Sequence, residues 1–91
     1  MAYRLIFPGP YRKREKTFLA RHPDLRERYY KTLRLLECDP FHPSLRLHAL
    51  AGRLSGLHSA SISLQYRITL ELEVRDREIV LINVGSHGEV Y

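Results

Sequence analysis

His48, Arg67 and His87 are residues of the types that move protons and bind phosphate. Imidazole titrates near neutral pH, so one histidine can serve as base and another as acid. Arginine offers a planar fork to phosphate oxygens. Such a set is enough to cut RNA, whose own 2′-OH is the nucleophile. The base takes the 2′ proton, the acid protonates the leaving 5′ oxygen, and the cation neutralises charge building on the phosphorane. Spacing alone does not bring the three together, and each has an ordinary reading. A histidine is more often packed or merely exposed, and Arg67 in an alternating strand is an outward-facing residue.

Other chemistry finds little support. The five histidines, His22, His42, His48, His58 and His87, include no helical i, i+4 pair and no H-E-x-x-H. The phosphate-binding and dinucleotide glycine motifs and the G-x-S-x-G elbow are absent, so no cofactor is expected. Cys38 ends a helical stretch, where the dipole disfavours a thiolate, and is read as a small buried packing residue.

The elements that must position these residues follow from patterning. Tyr3-Arg4-Leu5-Ile6-Phe7 reads as a strand, ended by Pro8-Gly9-Pro10. Pro10 suits the first position of a helix running to about Ala20, with Tyr11, Phe18 and Leu19 on one face. Pro23 starts a second helix in which Leu25, Tyr29, Leu33 and Leu36 recur at helical spacing until Asp39-Pro40. The very short link predicts an antiparallel helical hairpin. Alternation predicts strands over 45–50, 57–63 and 66–74, and an apolar central strand over 79–84. The order is β-α-α-β-β-β-β in one domain, 1–91. It predicts an α+β fold: an N-terminal strand and a helical hairpin on one face of a mainly antiparallel four- to five-stranded sheet. The other face carries Ser59, Ser61, Arg67, Thr69 and Glu71 and is expected to be open and polar.

Composition agrees with one small folded domain. Hydrophobic residues make up 44% and charged residues 27%, which excludes a disordered chain. No apolar run is long enough for a membrane helix, and the first residues lack the pattern of a secretory signal. One cysteine excludes a disulfide framework, so a reducing cytoplasm is expected. Residues 1–67 hold thirteen of the fifteen basic residues against five acidic ones, and twelve of the fifteen are Arg. That balance points to a polyanion such as nucleic acid, or to a solvated basic surface.

The stretch His48-Ala-Leu-Ala-Gly-Arg-Leu-Ser-Gly-Leu-His-Ser59 resembles the RelE/ParE toxin superfamily. So do Tyr66-Arg67-Ile68 and the terminal Gly85-Ser-His-Gly-Glu-Val-Tyr91, and the similarity is greatest to its YafQ-like branch. The motifs cover the C-terminal half, and the element order fits the whole chain. The resemblance implies a RelE-like fold and a ribosome-dependent mRNA interferase of a type II toxin–antitoxin system. By the same resemblance His87 is the general acid, Arg67 the phosphate stabiliser and His48 a candidate base. Tyr91 is implied as a base-stacking aromatic, a contact worth about 1–3 kcal/mol. Arg53 and Arg46 are expected RNA contacts on grounds of charge.

The implied partners are a cognate antitoxin, the ribosome and mRNA, with no membrane and no small-molecule cofactor. Two departures are visible. His58 stands where many relatives carry Trp, which reads as a packing substitute, and 61–65 is shorter than the matching YafQ stretch. The alternatives on this fold are a non-catalytic gyrase inhibitor of ParE type and a plain RNA- or ribosome-binding module.

Overall fold

The computed structural model describes residues 2–90, with Glu89 described by its backbone alone. Strand β1 (Arg4–Ile6) leads into helix α1 (Gly9–Arg21) and helix α2 (Arg26–Cys38). Strands β2 (His48–Ala49), β3 (His58–Ser61), β4 (Tyr66–Glu73) and β5 (Glu78–Ser86) follow, and a short helix α3 (His87–Val90) ends the described chain. The sheet order is β1-β5-β4-β3-β2, with β1 parallel to β5 and every other pair antiparallel. This is the expected α+β architecture, with five strands.

Proline sets both helix starts. Pro10 lies in the first turn of α1, where an N–H would have no helical partner. Pro23 opens a 3-10 turn, Pro23–Leu25, that feeds α2. The helical faces converge on the sheet. Tyr11, Phe18, Tyr29, Leu33 and Leu36 are buried against Ala60, Ile62, Ile68, Leu70, Ile79 and Leu81, one side of the alternating strands. On β5 the alternation skips once. Leu70 faces Leu81 and Thr69 faces Asn83, so Ile82 has no opposite number. This bulge lets Leu81 and Val84 both enter the core. Arg14 of α1 donates to the Ile82 carbonyl at 3.0 Å, which satisfies backbone at the bulge.

Three expectations need correction. The strand expected over 45–50 shrinks to His48–Ala49. Leu45 instead enters the core from a 3-10 turn, Pro43–Leu45, and Arg46 then adopts a left-handed conformation (φ 47°) that interrupts any alternation. Cys38 is exposed, not buried, because the buried face of α2 ends at Leu36. The polar face is not open at its centre: Ser59 and Thr69 are 0% and 1% exposed. Helix α3 packs on β4 and β5, and its Val90 is buried outside the main core cluster. The C-terminal turn therefore covers part of that face.

One polar network lies inside the helical hairpin. The Tyr29 hydroxyl donates to Glu15 Oε2 at 2.6 Å and accepts from Tyr11 at 2.7 Å, while Arg12 donates to Glu15 Oε1 at 2.8 Å. Burial pushes both phenols well above their ordinary value near 10, and the Glu15 carboxylate pushes in the same direction. Unfolding releases those protons near pH 10, whereas the folded chain keeps them. The contribution is thus full below pH 10 and declines as pH rises beyond it. Tyr29→Phe leaves a buried carboxylate and the Tyr11 hydroxyl short of a partner, at a cost of about 1–3 kcal/mol. Denaturant midpoints at neutral pH should fall accordingly, and the alkaline decline should be shallower in the variant.

Candidate functional site

Strand register decides which candidates share a face. His48 lies opposite Ser59, Ser59 opposite Thr69, and Thr69 opposite Asn83. These four form one row across the sheet, since directly paired residues point the same way. Ser61, Arg67 and Gly85 form the next row on the same face. Asn83 and Gly85 lie on this face of β5, and His87 follows just beyond the strand, as β5 turns into α3. Arg67 thus lies beside the strand that leads into His87. His48 sits on the far side of β3, two strand spacings from β4, roughly 10 Å. Arg67 lies between the two histidines.

The Arg67 side chain is half-buried and donates to Ser61 Oγ at 3.2 Å. Ser61 Oγ in turn donates to the Ser63 carbonyl at 3.2 Å, which fixes the hydroxyl. No carboxylate among the described residues pairs with Arg67; the ion pairs are Arg4–Glu78 and Arg12–Glu15. Gly85, which is buried, faces Arg67 across β4–β5. An aromatic group anchors the start of β4: the Tyr66 ring lies 4.6 Å from His22 and 5.6 Å from Phe18. Arg67 is therefore carried by a strand tied down to α1.

His48 is exposed, and its Nδ1 lies 3.1 Å from the Arg46 carbonyl. A carbonyl only accepts, so Nδ1 carries the proton in the neutral ring. Nε2 is left with its lone pair, the form a base requires. His87 is exposed at the first position of α3. His58 points the other way, with Ala60 and Ile62 on the helix-covered side, and its Nδ1 is buried without a partner among the described residues. It takes no place in this set. Thr69 is on the polar face, and its buried hydroxyl also has no partner among the described residues.

Arg46 borders the α2 side of the sheet, and Arg53 is exposed on a 3-10 turn, Gly52–Leu54. Gly52 (φ 66°) and Gly56 (φ 96°) make that turn possible. Tyr91 lies outside the described residues. Among the described residues no group of three His, Cys, Asp or Glu is placed to hold a metal ion, and no helix is long and apolar enough to cross a membrane. Sequence reasoning placed Ser61 on the polar face but missed its hold on Arg67. The only signal was its position two residues from Ser59 in the alternating strand.

No family model matches the chain, and no curated protein matches it. Solved structures do. YafQ from E. coli strain BL21(DE3) superposes with a TM-score of 0.81 at 18% identity, covering 98% of each chain. The E. coli DinJ–YafQ toxin–antitoxin complex matches at 0.71 and 20% identity, covering 100% of this chain and 99% of that one. The YoeB–YefM complex from Staphylococcus aureus matches at 0.72 and 15% identity, covering 96% and 99%. The chain has the fold of the YafQ and YoeB toxins, end to end.

Proposed function

We propose that this protein is the toxin of a toxin–antitoxin pair and a ribosome-dependent endoribonuclease that cuts mRNA by acid–base catalysis. The observation that carries the reading is the Arg67 guanidinium, with no ion-pair partner among the described residues, on the same polar face as His48 and beside the strand that leads into His87. His48 Nε2 takes the 2′-OH proton, the 2′ oxygen attacks the adjacent phosphorus, and the bond to the 5′ oxygen breaks. His87 gives that oxygen a proton, and Arg67 binds the non-bridging oxygens as charge builds. The products are a 2′,3′-cyclic phosphate and a free 5′-OH. The wide spacing of the histidines leaves much of the alignment of 2′-OH, phosphorus and 5′ oxygen to the ribosome.

The fold shared with toxins solved beside DinJ and YefM supports an antitoxin partner. The basic surface favours an acidic one, whose binding would be steered by charge. Arg46, Arg53 and Tyr91 complete the proposed RNA contacts. Primer extension on a defined mRNA in a translating extract tests the reading. Discrete cuts that vanish when ribosomes are withheld are expected. No cuts, together with inhibited DNA supercoiling, would move the protein to the gyrase-inhibitor class.

A further inference from the structure

A second basic feature lies beside Arg67, on the α2 side of the sheet. A groove of about 290 Å³ runs between α2, the Pro43–Leu45 turn and the β3–β4 link. Arg28, Lys31 and Arg46 supply its cations, and Ser44 and Ser63 supply hydroxyls. No carboxylate lines it, and none of the three cations forms an ion pair with a described residue. Three uncompensated charges around one small concavity repel each other, and an anion relieves that repulsion. Ser61, at the β3–β4 end of the sheet, is common to the groove and the site: it lines the groove and accepts the hydrogen bond from Arg67.

We propose that this groove holds a backbone phosphate of an RNA nucleotide flanking the cut. The assignment rests on the reading of the Arg67 face as an RNA-cleaving site. Phosphates recur along the strand, so a chain whose scissile phosphate meets Arg67 carries a flanking one round the β3–β4 end of the sheet, past Ser61, into the groove. Hydroxyls and a guanidinium fork suit phosphate oxygens. Arg46 fits the same picture. Its left-handed backbone is unfavourable for a side-chain-bearing residue, which singles out a position where a glycine would be the more stable choice.

The test uses the full-length protein and a fluorescent 2′-O-methyl oligonucleotide of about a dozen nucleotides, a length such basic grooves track. The probe cannot be cut, so anisotropy reports binding alone. Arg28→Gln combined with Lys31→Gln should weaken binding about tenfold or more at low salt. It should also flatten the plot of log affinity against log salt by about 0.7, one single-strand phosphate contact. Arg26→Gln with Arg34→Gln, on the same helix but outside this groove, should change both values less. Arg46→Gly should bind more weakly while its melting temperature holds or rises, which separates lost contact from lost fold.

Equal losses in the two double variants would overturn the groove, leaving only diffuse attraction. So would unchanged RNA binding with weakened binding of an acidic polypeptide, since the groove would then serve a protein partner. Cleavage is scored separately with unmodified mRNA. If wild type cuts and the groove variants bind the probe normally, the groove fails alone. If wild type never cuts yet binding depends on the groove, the catalytic reading fails and the groove stands.

Discussion

His87→Ala should lower the rate of mRNA cleavage by about 10²- to 10⁴-fold, the usual worth of a positioned general acid. The leaving 5′ alkoxide is a poor leaving group unless protonated as the bond breaks, and His87 is the imidazole at the β5–α3 junction. Stability should hardly change, since His87 is exposed and lies after the last strand. Primer extension with wild type and His87→Ala side by side, with melting temperatures taken on both, reads this directly. Equal cleavage by the two proteins would remove His87 from the chemistry.

Arg67→Ala should cost a comparable factor, about 10²- to 10³-fold, in the cleavage step at saturating substrate. The guanidinium meets a phosphate whose charge rises in the transition state, so the loss falls mainly on kcat. Arg67→Lys should recover only part of it, because an ammonium lacks the bidentate fork. Single-turnover kinetics on programmed ribosomes separates the two steps. An Arg67→Ala variant with normal kcat and raised KM would make Arg67 an anchoring group and no more.

Much of this fold is written in plain periodicity. Ile68, Leu70 and Leu72 alternate with polar neighbours because β4 has one face toward the helices. Leu33 and Leu36 recur because α2 buries one stripe. The failures have local physical causes. The expected strand over 45–50 was a string of apolar alternations, but Arg46 turns left-handed and Leu45 reaches the core from a 3-10 turn. Cys38 falls just beyond the last buried turn of α2, where the pattern gives no warning. Helix α3 is too short for any period to show, so its packing over the polar face was invisible.

The same division applies to the site. Alternation puts Ser59, Ser61, Arg67 and Thr69 on one face, and register then adds His48. What alternation cannot carry is the choice of hydrogen bonds. The Arg67–Ser61 bond and the contact of His48 with the Arg46 carbonyl depend on rotamers and on a turn brought close by folding. The groove beside α2 joins residues from Arg28 to Ser63, and no linear spacing links them.

The most direct measurement compares two mRNAs that differ at one atom, in a translating extract with the wild-type protein. One carries a 2′-deoxy nucleotide on the 5′ side of the mapped cut. Removing the attacking 2′-OH should abolish that cut, while other sites are cleaved normally and leave 2′,3′-cyclic phosphate ends. Cleavage of the deoxy-substituted message at the same position, with 3′-OH and 5′-phosphate ends, would contradict attack by the RNA's own hydroxyl and with it the roles assigned to His48, Arg67 and His87.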